Sequence, residues 1–308
     1  MEVDAIIEMF SRSVEKHQVK YVKYIGDGDT NNKTFQGILD IDPYDGNPID
    51  EKKECVGHIQ KRMGARLRKA KNENKGKGIG GKGPGKLTDK VINKLSLYYG
   101  LAIRRHPDSI EDMKNAIWAT FYHNSSTNEN PQHLYCPPGP ESWCKWQNAA
   151  HEGTSEEFDH ENPPLSDDVL EIIKPIYESL SSEDLLVRCL GSETQDNNES
   201  LNSLIWTFAP KHIHAGLRVI EIATFIAVSI FNEGFIPILK MMSLMGMDIG
   251  SEAHAFATKR DNAPINRSEI RTSNALKEAR TARLEERNAE NDLFEVEEGP
   301  MYGAGIAD

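Results

Sequence analysis

Residues 124–166 constrain the fold more than any other part of the chain. They form a long polar, proline-bearing stretch with a compact island of His133, Cys136, Trp143, Cys144 and Trp146, set between segments of helical periodicity. So little apolar content cannot order 40-odd residues by burial, because ordering each residue costs about 1–2 kcal/mol of backbone entropy. Two readings supply the missing energy. In one, His123, His133, Cys136 and Cys144 converge on zinc, whose binding to Cys and His is itself folding energy. In the other, Trp143 and Trp146 anchor the loop and the cysteines are passive buried thiols. Four cysteines in 308 residues exclude a disulfide scaffold in either case.

Around this stretch the chain reads as mostly helical. Val3, Ile6, Ile7, Phe10 and Val14 make one apolar stripe at helical spacing. Val19–Ile25 is short, β-branched and aromatic, which predicts a strand, and it runs into Gly26-Asp27-Gly28-Asp29. Phe35, Ile38 and Leu39 suggest a short helix, and a second strand is expected near Cys55. Val56, Ile59, Met63 and Leu67 then define a basic amphipathic helix. Six glycines and a proline within 74–86 make a loop. Further helices are expected at 87–101, 109–122, 166–180, 182–190, 198–207 and 212–232. Met241, Met242, Met245 and Met247 read as core filler. Beyond residue 250 a charged tail is expected, partly disordered. The most apolar stretch, Val219–Phe231, is too short to cross a bilayer, and MEVDAIIEMF lacks the features of a signal peptide, so no membrane association is expected.

The net charge of −12 conceals a strong segregation. Residues 51–90 hold 13 Lys/Arg against 4 Asp/Glu, a net of +9, whereas the rest of the chain carries −21. One basic segment in an acidic body reads as a local polyanion site, with a solvated helix and linker as the plain alternative. The cations concentrated on its helix are Lys61, Arg62, Arg66, Arg68, Lys69 and Lys71. The glycine pattern Gly76–Gly81 mimics a phosphate loop, but no strand precedes it, and the pattern carries no weight without one.

Three smaller constellations remain. Asp27 and Asp29 at a strand end suit Mg²⁺, although Asp and Gly are equally the residues of a turn. Cys55-Val-Gly-His58 has zinc-like spacing but is half a site. Asn198-Glu199-Ser-Leu-Asn202 opens a helix, where Glu199 serves at least as a carboxylate in the favourable field of an N-terminus.

Taken in order, YIGDGDT, KKECVGHIQKRMGARLRK, LTDKVINKLSLYYGLAIR, ENPQHLYCPPGPESWCKWQ and TQDNNESLNSLIW resemble the Mutator-like DNA transposases of the animal and arthropod type. The resemblance covers roughly residues 1–210. It implies an α/β fold of mostly α content: a partial ribonuclease-H-like core interrupted by a long helical insertion. It divides the chain into core residues 1–73, an insertion at 74–190, C-terminal core helices at 191–250 and a tail at 251–308. The family uses an Asp-Asp-Glu triad with Mg²⁺ or Mn²⁺ for phosphodiester hydrolysis and transesterification. Carried over, the second Asp is Asp27 or Asp29 and the Glu is Glu199. The first Asp has no counterpart, so the chain is expected to be an N-terminally truncated copy that cannot cut by itself. DNA as partner, homo-oligomer assembly and a nuclear location follow from the same resemblance. A domesticated or relic DNA-binding protein, or a zinc-stabilised interaction module, are the alternatives.

Overall fold

The computed structural model describes residues 2–26, 30–46, 51–140, 142–160 and 163–272. The chain divides into two compact units, Met1–Asp196 and Asn197–Asp308. The described residues are mostly helical, with a parallel sheet of two short strands.

The first unit opens with α1 (Glu2–Ser11) and α2 (Ser13–His17), followed by β1 (Lys23–Gly26), α3 (Thr30–Ile41) and β2 (Glu51–Glu54). The strands run parallel, pairing Lys23 with Glu51 through Gly26 with Glu54. A parallel pair needs a long crossover, and α3 lies within it. Phe10, Tyr24, Ile38 and Tyr44 bury together as a small core. The Tyr44 hydroxyl accepts the Tyr21 backbone N–H at 2.8 Å and also pairs with Ser13 Oγ.

The larger core belongs to α4 (Val56–Glu73), α5 (Asp89–Arg105) and α6 (Ile110–His123), joined by α8 (Asp167–Leu180) and α9 (Glu183–Cys189) after the short α7 (Lys145–Glu152). The expected stripe Val56, Ile59, Met63 and Leu67 is fully buried on α4. Gly64 lets α5 come close: a methyl there would sit 3.2 Å from Ser96 Oγ, which donates to the Gln60 carbonyl. Thr88 and Ser109 cap α5 and α6, each accepting the backbone N–H of the third residue on, which satisfies donors the helix cannot. Deeper in, the Tyr99 hydroxyl donates to Leu180 O at 2.8 Å and Tyr177 pairs with Thr120.

Residues 193–195 thread between the sheet and α4. Gln195 Nε2 donates to Ile25 O at 2.8 Å, Val56 N donates to Glu193 O, and Lys23 pairs with the Glu193 carboxylate. The stretch leading into α10 (Asp196–Phe208) is therefore tethered at the carboxyl end of β1.

The second unit contains α11 (Leu217–Glu233), α12 (Ile236–Leu244) and α13 (Ser251–Thr272). Phe235 N donates to Asp261, and Arg260 lies over the Phe235 ring, so α13 is fastened to the start of α12. The chain beyond residue 250 is helical as far as Thr272, because these contacts give it a surface to pack on; the rest of the expected charged tail, residues 273–308, lies outside the described part. One expectation is corrected here. The methionines are not uniformly core: Met241 and Met242 are half-buried, but Met245 and Met247 follow the end of α12 and are exposed.

Candidate metal centre

α6 delivers His123 as its last residue, and α7 starts immediately after Cys144. The chain between them doubles back in a turn closed by Cys136 N to His133 O at 3.0 Å, and Gln147 Nε2 holds the same carbonyl at 2.8 Å. Two helix ends and one tight turn thus bring His123, His133, Cys136 and Cys144 together. Their ligand atoms all lie within 4.8 Å of one another, with three of the residues buried and His123 half-buried. His133 stacks on Trp146 at 4.9 Å, and His123 meets the edge of Trp143 at 5.0 Å. The tryptophans flank the histidines, and the His/Cys cluster lies between them.

The four S···N separations, from each cysteine Sγ to each histidine Nδ1, are 3.7, 3.8, 3.7 and 3.4 Å. Tetrahedral zinc with Zn–S of about 2.3 Å and Zn–N of about 2.0–2.1 Å gives an S···N edge of about 3.6 Å. The donor set and its spacing could hold a metal such as zinc. Electrostatics point the same way. Cys144 is pulled down chiefly by the hydrogen bond it accepts from Cys136. Cys136, as the donor in a buried pair, is pushed up. The lowered Cys144 pKa favours the deprotonated form in which cysteine binds metal.

Beside the centre lies a cavity of about 180 Å³ lined by His133, His160, Trp143, Trp146 and Lys94. Burial pulls both His160 and Lys94 down from their ordinary values. His160, Ser126 and Asn128 belong to the surroundings of His133 and were not picked out from sequence. The only signal was an extra histidine, 27 residues beyond His133, with Asp159 before it.

The remaining sequence-derived positions are spread over the molecule. Asp27 and Asp29 lie outside the described residues, directly after β1. Glu199 is exposed in the first turn of α10. Cys55 is buried immediately before α4, and His58 is half-buried in that helix's first turn. Among the α4 cations, Arg62 faces buried Glu54 at 3.7 Å and Lys71 pairs with Asp89 at 3.0 Å. Arg66 donates to Ser179, Arg68 to Asn93, and Lys69 sits 3.7 Å from Glu73. Lys61, Arg66, Arg68 and Lys69 are exposed, while Arg62 and Lys71 are half-buried.

Residues 1–144 match the family model described as Mutator-like transposase. The matched stretch takes in all four residues of the His/Cys cluster. No curated protein and no solved structure matches the chain. Among the described residues no helix is long and apolar enough to cross a membrane.

Proposed function

We propose that this chain acts on DNA in transposition of the Mutator type, with its 123–144 loop organised by a structural zinc ion. The observation that carries this reading is the coincidence of the transposase match with the His/Cys cluster: the segment that identifies the family contains the whole ligand set. Two histidines and two cysteines fill four positions and leave none for water, which is the pattern of a structural site. Zinc there shapes the insertion rather than performing chemistry.

The reacting centre in this reading is elsewhere, in a ribonuclease-H-like core. Asp27 or Asp29 and Glu199 would be the carboxylates that hold Mg²⁺ or Mn²⁺, and such an ion would supply Lewis-acid chemistry at a phosphate. DNA lies along the outer face of α4, where Lys61, Arg66, Arg68 and Lys69 offer exposed positive charge. Arg62 and Lys71, turned toward Glu54 and Asp89, act mainly in holding α4 in place. The protein works in the nucleus as an assembly of copies.

Titrating Mn²⁺ into the zinc-loaded chain tests the carboxylate assignment. Glu199→Gln and Asp27→Asn with Asp29→Asn are each expected to weaken Mn²⁺ binding about tenfold or more, with zinc content unchanged. Unaltered Mn²⁺ affinity in all variants would remove these residues from the reaction.

A further inference from the structure

We infer that Ser126, His160 and Asn128 form a hydrogen-bond relay that fixes the tautomer of His133, leaving its Nδ1 bare toward the metal. Its consequence for metal affinity rests on the zinc reading above.

The relay starts at Asp159. Asn128 Nδ2 donates to Asp159 Oδ1 at 2.6 Å, which sets the orientation of the amide. Asn128 Oδ1 then accepts the backbone N–H of His160 at 2.9 Å, and a backbone amide can only donate. The same oxygen lies 2.6 Å from His160 Nδ1, so that nitrogen carries the proton. A neutral imidazole has one N–H, so His160 Nε2 is an acceptor.

His160 Nε2 faces Ser126 Oγ and His133 Nε2, each at 2.9 Å. Ser126 is buried, and its Oγ accepts the Gln132 backbone N–H at 2.9 Å. Its one hydrogen can serve only one of the two imidazole nitrogens it faces, and His160 Nε2, already fixed as an acceptor, takes it. His133 Nε2, 2.9 Å from Ser126 Oγ, now meets only acceptor lone pairs and must itself carry hydrogen. Were it bare, two imidazole lone pairs would oppose each other at 2.9 Å with a single hydroxyl hydrogen to share. His133 is 2% exposed, so solvent has little access to mend such a mismatch. Neutral His133 protonated at Nε2 leaves Nδ1 bare, and Nδ1 is the atom 3.4 Å from Cys144 Sγ. Fixing a ligand's tautomer through its second nitrogen is how outer residues of metal sites typically act. Ser126, Asn128 and His160 are positioning residues here, and none of them is a metal ligand.

Long-range ¹⁵N–¹H NMR of histidine-labelled full chain reads the tautomers directly. His133 is expected as the Nε2–H form in both metal-free and zinc-loaded protein, with Nδ1 taking a metal-bound shift on loading, and His160 as the Nδ1–H form. Ser126→Ala should lower zinc affinity about 10–100-fold, and Ser126→Thr, which keeps the hydroxyl, should restore most of it. An Nδ1–H His133 in the metal-free spectrum, or zinc bound through Nε2, would overturn the relay, as would a Ser126→Ala variant that binds zinc like the parent. A parent chain that takes up no zinc but shows the expected tautomers would instead overturn the zinc reading and leave the relay standing.

Discussion

Removing the metal should open one loop and spare the helical core. Among the described residues of 124–166 the buried side chains are Ser126, His133, Cys136, Cys144 and Leu165. Leu165 belongs to the main core, so the others are held by the His/Cys cluster and its hydrogen bonds. The core between α4, α5, α6 and α8 has its own complement, including Ile59, Met63, Leu67, Leu95, Tyr99, Ile117, Ile173 and Tyr177. A metal present at about 100 times its dissociation constant stabilises the bound state by about 2.7 kcal/mol, so its removal should make amide exchange in the coupled loop about 100-fold faster. Hydrogen exchange read by mass spectrometry with and without a strong chelator is the assay. Protection should fall across residues 125–160 and change little in α4 and α5. Cys144→Ser in zinc-containing buffer should reproduce the pattern. Unchanged exchange in the loop after verified metal loss would refute the claim that metal supplies its order. Equal acceleration in α4 and α5 would refute the separation of loop from core.

Two further outcomes concern the rest of the chain. Burial pushes Cys189 up to about 12 and raises Tyr99 and Tyr177 as well, so these groups stay protonated longer folded than unfolded. Their contribution is fully present below the unfolded pKa and lost as pH rises, so urea unfolding should show stability falling from about pH 9 toward 12, and Tyr99→Phe should flatten the decline while costing about 1 kcal/mol at neutral pH for the bond to Leu180 O. Gly234 has φ 76° and leaves only 2.6 Å between an added methyl and the Asp261 carboxylate, so Gly234→Ala should destabilise the second unit by about 1–3 kcal/mol in thermal unfolding; an unchanged transition would refute the Gly234–Asp261 packing.

Some of this was legible in the sequence for definite reasons. The α4 stripe was visible because apolar residues three and four apart can only share a helix face. The His/Cys cluster was visible because two Cys and two His stood in a polar stretch with little apolar surface to bury. The relay was not. Ser126 and Asn128 look like turn residues, and they meet His160 only once residues 34 and 32 positions apart come together. Likewise the lysines and arginines of α4 declared a positive charge, but not that Arg62 turns to Glu54, a carboxylate that ends a strand and is buried at 2% exposure. In α13, Pro264 and a polar composition argue against a helix, and packing against Phe235 overrides them.

The central proposal is that this chain, whose residues 1–144 match the Mutator-like transposase model, engages DNA. Fluorescence anisotropy of the zinc-loaded chain with a random 30-base-pair duplex, taken through a series of salt concentrations, tests it most directly. With about four phosphates met by Lys61, Arg66, Arg68 and Lys69, log affinity should fall against log salt with a slope of about −3 to −4. Changing all four to Gln should flatten that slope and weaken binding at low salt, with the circular dichroism of the helices retained. No binding at about 50 mM salt, or a slope the four substitutions leave untouched, would contradict the account.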